Sequence, residues 1–213
     1  MGQPYFTSDL HINHRSILKY TVRGPIMVGC PQQGEEEEVE SPEMERRLAI
    51  HNEWVLRRIN ATVGPTDHLY IVGDLFFGDK WLAAYWIDQL KCKHRILIGG
   101  NHDDKMMDFY KWSGLFEAVY DHRLELKVDG LLLVLDHHPI VEWNRGHKGA
   151  IHLHGHCHGN FDYKSANLHD KKILDIGLDN SLKVLGEYTP FSLEQVKKYT
   201  EGRVNITHHN KAG

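Results

Sequence analysis

What most constrains the fold of this chain is a pattern repeated in its first half. A short apolar run stops in a polar cluster, and a stretch of helical character leads to the next run. Residues 4–8, PYFTS, run into Asp9-Leu10-His11; residues 68–72, HLYIV, end in Gly73-Asp74; residues 94–98, HRILI, end in Gly99-Gly100-Asn101-His102-Asp103. Runs of four to eight β-branched and aromatic residues closed by Gly, Asp or Asn predict strands. Residues 12–20 are read as a short helix. Ser41-Pro42-Glu43 opens a second one, with Ser41 as cap and Pro42 in the first turn. Leu48, Trp54, Val55, Leu56 and Ile59 give it an apolar stripe up to Asn60, and a third helix is predicted from about Lys80 to Leu90.

The second half is mostly strand. Residues 117–121, 123–128 and 131–136 are three candidates, and Asp129-Gly130 makes a hairpin turn between the last two. Residues 150–155 and 173–177 add two more, and Ser192 starts a final helix through about Tyr199. Strand–helix alternation followed by strands predicts an α/β fold with a layered sheet core. Neither an internal repeat nor a linker breaks the chain, so residues 1–213 are read as a single domain. Residues 21–41, rich in Gly and Pro and carrying Glu35 to Glu38, are expected to form an exposed loop insertion. Residues 202–213, with His208 and His209, are expected to fray.

Composition narrows the function classes. Hydrophobic residues make up 41% and charged residues 25%, as in an ordinary globular protein. A formal net charge of -4 gives no broad basic face, so stable duplex nucleic-acid binding is not expected. No apolar run reaches the length of a membrane span, and MGQPYFTSDL has neither a signal peptide's basic start nor its apolar core. Cys30, Cys92 and Cys157 share no disulfide or zinc-knuckle spacing, so a reducing, cytoplasmic location is the expectation. The unusual quantity is 17 histidines, which directs attention to metal and proton chemistry.

Four clusters concentrate that chemistry: Asp9-Leu10-His11, Gly73-Asp74, Gly100-Asn101-His102-Asp103, and Asp136-His137-His138 together with His152 to His158. An aspartate at a strand end is often a helix cap, and one histidine is usually only a half-buried polar side chain. Four clusters at strand ends favour a common site, because open α/β sheets gather their ligands at the carboxyl ends of strands. Carboxylate, imidazole and amide donors suit Mn, Fe, Zn, Ni or Co better than calcium.

Asp9-x-His11, Gly73-Asp74, Gly100-Asn101-His102-Asp103, His137 and Gly155-His156-x-His158, in that order, resemble the signature of the calcineurin-like metallophosphoesterases. Ile176-Gly177-Leu178-Asp179-Asn180 and Pro190-Phe191-Ser192-Leu193 resemble the C-terminal end of small single-domain members. The resemblance implies two facing mixed β-sheets flanked by helices, with a two-metal site at the strand ends. It implies that Asp9, His11 and His158 hold one divalent ion, that Asn101, His137 and His156 hold the other, and that Asp74 bridges them. Manganese is the first choice, with iron, zinc, nickel or cobalt as alternatives. The implied reaction is hydrolysis of a phosphate ester by in-line attack of a metal-bridging hydroxide. His102 would meet the leaving oxygen, and Asp103 would orient His102; Asp103 also reads as an N-cap for the helix that follows.

The neighbours sort themselves around that pattern. His138 falls on the variable position after His137, and strand alternation turns it and Cys157 away. His154 reads as a neighbour behind the ligands and His152 as structural. His14, Arg15, Arg23 and Trp143-Asn144-Arg145 are candidates for the substrate rim, or else plain surface groups. The expected substrate is a small phosphate ester, with a lean toward a nucleotide-like phosphodiester because the compact chain has no capping domain. A phosphomonoesterase or a protein or nucleotide phosphatase is the alternative. A non-catalytic binding protein of the same fold and a nuclease are further readings, and the oligomeric state is not legible.

Overall fold

The computed structural model describes residues 2–24 and 41–204. The acidic run Glu35 to Glu38, Cys30, most of the expected loop insertion, and His208 and His209 lie outside the described residues.

The expected alternation is present in the first half. β1 (Pro4–Thr7) leads to α1 (Ile17–Tyr20), then α2 (Pro42–Thr62), β2 (His68–Val72), α3 (Lys80–Asp88), β3 (His94–Ile98), α4 (Met107–Trp112) and β4 (Ala118–Tyr120). Ser41 caps α2 by accepting the Met44 N–H, and Asp79 caps α3 by accepting those of Trp81 and Leu82. The second half runs β5 (Arg123–Val128), β6 (Leu131–Asp136), β7 (Ile151–His154), β8 (Ile173–Asp175), α5 (Leu178–Leu185), β9 (Phe191–Ser192) and α6 (Leu193–Thr200). α6 starts with a reciprocal Ser192–Gln195 capping box. The first helix is shorter than the expected 12–20, because residues 9–13 are occupied by the turn that presents Asp9 and His11. α5 was not among the expected elements, although Leu178, Leu182 and Leu185 recur at helical spacing within it.

Two mixed sheets result, one ordered β4-β3-β2-β1-β9 and the other β5-β6-β7-β8. In the first, β1 to β4 are parallel and β9 runs antiparallel to β1. In the second, β5 and β6 form the hairpin while β6, β7 and β8 are parallel. The sheets face each other across a core containing Phe6, Val72, Ile98, Leu135, Leu153 and Phe191. The opposite face of the first sheet, with Leu69, Ile71 and Leu97, is covered by α2, α3 and α4 through Val55, Ile59, Ile87 and Tyr110. The outer face of the second sheet packs instead under the irregular chain around Trp143, Ala150 and Leu168. No helix among the described residues is long and apolar enough to cross a membrane.

Parallel register brings the strand ends together. Thr7 pairs with Ile71 and Val72 with Ile98, so the chain leaves β1, β2 and β3 at one edge. In the second sheet Leu135 pairs with Leu153, and His154 with Asp175, so β6, β7 and β8 also end together. An isolated bridge between Ser8 and Gly177 brings the two edges into contact. Leu153 is fully buried between the sheets, so Leu153→Ala is expected to lower the unfolding free energy by about 2–5 kcal/mol in urea titration. A loss below about 1 kcal/mol would show that this position does not carry the inter-sheet core.

Candidate metal centre

Seven donor side chains from five segments meet at that shared edge. His11 Nε2 lies 3.7 Å from Asp9 Oδ1 and 3.7 Å from Asp74 Oδ2, and His158 Nε2 lies 3.9 Å from Asp9 Oδ1. On the other side His137 Nε2 is 3.4 Å from Asp74 Oδ1 and 3.1 Å from Asn101 Oδ1, and His156 Nδ1 is 3.1 Å from the same amide oxygen. Asp9, His11 and His158 form one group that could hold an ion, and Asp74, His137 and His156 another. Asp74 turns one oxygen to each group. Metal bonds of about 2.0–2.2 Å place neighbouring donors roughly 3–3.5 Å apart, close to these spacings.

One atom tests the fit. His11 Nε2 is buried without a hydrogen-bond partner. It points between two carboxylate oxygens that stand too far away for hydrogen bonds and at the right spacing to share a cation with it. An unpaired buried imidazole nitrogen costs free energy that a bound ion would offset. The first group is the deeper one: Asp9 and His11 are buried and His158 is half-buried, while Asn101 and His156 are exposed at the mouth.

The backbone is bent to make these contacts. Asp9, His11, Asp74, His156 and His158 all have positive φ, between 49° and 69°. Such conformations are uncommon outside glycine and cluster at functional sites. Two glycines permit the crowding. A Cβ on Gly73 would collide with the His137 ring, and one on Gly155 would collide with Ser8 Oγ and Asp9 Oδ2. His156 and His158 therefore reach the site from a turn after β7, while the extended His152 and His154 stay buried in the strand. His154 spends its ring nitrogens on Gly155 O and Tyr163 Oη, and His152 on Val134 O and the chain at 138–140.

Several expectations are corrected here. The Asp103 carboxylate bonds backbone amides and not the His102 ring, and it does not cap the following helix. Its buried carboxylate accepts from the N–H groups of Asp74 (2.8 Å), Gly100 (2.9 Å) and Leu75 (3.1 Å) beneath the loop. Burial pushes its pKa up to about 6. His102 stands on the other side, 47% exposed, with its N–H on Asp74 Oδ1 and its ring 5.0 Å from Phe77. Of the rim candidates, Trp143 is buried and donates to Ala150 O, Arg15 pairs with Glu45, and Asn144 reaches Glu125. His14 does line the site, stacked 3.8 Å from Phe77 and 3.0 Å from His11 Nδ1. Burial, reinforced by neighbouring histidines, holds His14 down near a pKa of about 3, so it is neutral. His138 is exposed, but its ring lies 4.5 Å from that of His156, so it borders the site and is not turned away from it as alternation predicts.

Arg23 is the largest departure, because it is wholly buried and touches no solvent rim. It makes a two-pronged pair with Asp179 at 2.8 Å for each bond and donates to the carbonyls of Asp9 and Leu10. Asp179 in turn bonds His158 Nδ1 at 2.7 Å. This chain fixes the tautomer that leaves His158 Nε2 free to ligate. Asp175 acts similarly on the backbone, accepting from Gly159 and Gly177, and burial raises its pKa to about 7. No sequence signal links Arg23 to Asp179, which lie 156 residues apart.

Electrostatics set the protonation of the candidate ligands. Burial would raise the Asp9 pKa, but His11, His137 and His158 hold it far below the carboxylate range. Burial opposes charge on His137, yet Asp74 and Asp9 lift it to about 9. His158 is likewise raised, by Asp179 and Asp9 against burial.

No family model matches the chain. A gene 66 protein of Mycobacterium phage L5 is 24% identical over 84% of this chain and 87% of its own length. An uncharacterized protein of Methanocaldococcus jannaschii is 27% identical over 94% of this chain and 93% of its own. Among solved structures, a protein of unknown function from Aquifex aeolicus superposes with a TM-score of 0.62 at 18% identity, covering 93% of this chain and all of that one. That likeness extends the fold to a crystal structure and leaves the chemistry to the residues.

Two predictions follow from the geometry. With its pKa near 9, His137 is protonated at pH 7 and must release that proton to ligate. Calorimetric titration of Mn²⁺ at pH 7 should therefore show net proton release by its dependence on buffer ionisation enthalpy, with affinity rising from pH 6 to 9; heats that do not depend on buffer would contradict it. Asp179→Asn should weaken Mn²⁺ binding about 10–100-fold and lower the melting temperature, since it leaves Arg23 buried without its counter-charge. Unchanged affinity would show that the Asp179–His158 bond does not tune the site.

Proposed function

We propose that the protein is a two-metal phosphoesterase of the calcineurin-like kind, acting on a small, nucleotide-like phosphodiester. The observation that carries this reading is the pair of adjoining donor groups with Asp74 between them and the buried, unpartnered His11 Nε2 facing both carboxylates. Asp9, His11 and His158 would hold one ion, and Asn101, His137 and His156 the other. Manganese, or iron, zinc, nickel or cobalt, suits this set of nitrogen and oxygen donors. When bound, such a pair supplies a water acidified to react at neutral pH and neutralises charge developing on the phosphate oxygens.

The remaining work belongs to the chain. His102 is half-exposed at the mouth, with Nε2 4.0 Å from Asp74 Oδ2. Its backbone N–H is anchored on Asp74, and Phe77 backs its ring. It is placed to give a proton or hydrogen bond to a leaving oxygen. Asp103 acts at one remove, holding the backbone that carries Asp74 and His102.

The lean toward a diester has its own support. His102 borders two hollows. One, of about 410 Å³, is lined by His11, His14, Tyr20, Thr21 and His158; the other, of about 370 Å³, by Phe76, Phe77, Asn101, Lys105 and Met106. A diester has two substituents to lodge, and a monoester has one.

Metal-stripped protein reconstituted with Mn, Ni, Zn or Fe should hydrolyse p-nitrophenyl phosphate or its bis ester, with the bis ester preferred. Asp74→Asn should lose metal and turnover together. His102→Ala should keep its metal and lose about 10²–10⁴-fold in turnover. Absence of turnover with every metal would overturn the proposal, and unchanged turnover in His102→Ala would remove that residue from it.

A further inference from the structure

The far end of the first sheet holds a second concentration of donors that the phosphoesterase reading does not use. His68 is the first residue of β2 and His94 the first of β3, and the two are register partners. Their rings stack with centroids 4.6 Å apart and planes 20° from parallel. Glu117 precedes β4 and is tied to β3 by its N–H on Arg95 O at 2.8 Å. From there its Oε2 reaches His94 Nδ1 at 2.6 Å. One donor atom from each residue lies within 4.8 Å of the others.

The backbone therefore brings together two imidazoles and a carboxylate from three adjacent strand starts. Two parallel imidazoles gain little from each other in water and repel if both are protonated. A cation shared by their nitrogens and the carboxylate removes that repulsion. Two nitrogens and one oxygen, with a fourth position open, match a zinc-type coordination set, and imidazole donors disfavour magnesium and calcium. Space for a fourth ligand is at hand, because His68 and His94 border a hollow of about 510 Å³ with Gly2, Pro4, Thr66 and Leu126. His68 and Val72 are the two ends of β2, roughly 13 Å apart by the rise per strand residue, and Asp74 lies beyond Val72, so this ion cannot belong to the first centre.

We propose that His68, His94 and Glu117 form a separate zinc site that staples the starts of β2 and β3 to the segment leading into β4. The ion would be solvent-facing and structural, bound through three protein donors with water completing its shell.

The test is zinc content after equilibrium dialysis of the full chain against Zn²⁺, read by elemental mass spectrometry. His68→Ala and His94→Ala should each bind one zinc fewer per chain than the unmodified protein. Glu117→Gln, an exposed change that spares the fold, should bind that zinc at least tenfold more weakly. His122→Ala, at an exposed histidine outside the cluster, should match the unmodified protein. The one-ion difference should persist in an Asp74→Asn background, which separates this site from the proposed catalytic centre. Equal zinc content and affinity in the unmodified protein, His94→Ala and Glu117→Gln, all folded by circular dichroism, would overturn the proposal.

Discussion

The site is organised around the buried carboxylate of Asp9. Both of its oxygens lie about 3.0–3.1 Å from the N–H of His156. Gly155 and Gly177, just past the ends of β7 and β8, pack against it so closely that a side chain at Gly155 would strike it. Neighbouring Ser8 bridges to Gly177 and donates to Val72 O. A carboxylate withdrawn from water is tolerated only when it is paired or hydrogen-bonded. Here the partners are the backbone and imidazoles of the candidate metal site, so closing the two sheets against each other and assembling the donors are the same event.

The cost of that assembly is visible in the backbone. Five of the seven donor residues adopt left-handed conformations, on the order of 1–3 kcal/mol each for strained positions. Ordinary strand pairing cannot hold them there. Three buried groups placed behind them do so: Asp103 gathers the amides of Asp74, Leu75 and Gly100; Asp175 gathers those of Gly159 and Gly177; and Arg23 fastens the Asp9–Leu10 carbonyls to Asp179 and through it to His158. Each removes freedom from a loop that carries candidate ligands. The seven side chains are thereby held in a preorganised arrangement by groups that are not themselves donors.

Much of this was readable from the chain. β2, β3, β5 and β6 fall on the predicted residues, because short apolar runs with turn residues at both ends leave few alternatives. The candidate ligands were readable because each sits where a strand stops, and the structure brings all seven to one edge. Asp103 misled because the resemblance pairs it with His102, whereas these successive residues of a tight loop face opposite ways. Arg23 misled because a charged residue at the start of a polar loop ordinarily faces water. The His68–His94–Glu117 group was invisible, since its members are 26 and 23 residues apart and meet only through parallel pairing.

By itself the sequence determined the strand–helix order, the polar clusters at the strand ends and the donor types available to a metal. These are local properties, set by the period of apolar residues and by where glycine and aspartate interrupt it. The tertiary structure decided which donors share a group, that Asp74 faces both, and that His156 and His158 turn inward while His152 and His154 remain in the core. It also decided that Asp103, Asp175, Asp179 and Arg23 brace the site from behind. Those outcomes depend on strand register and on burial of charge across long separations, which no local pattern encodes.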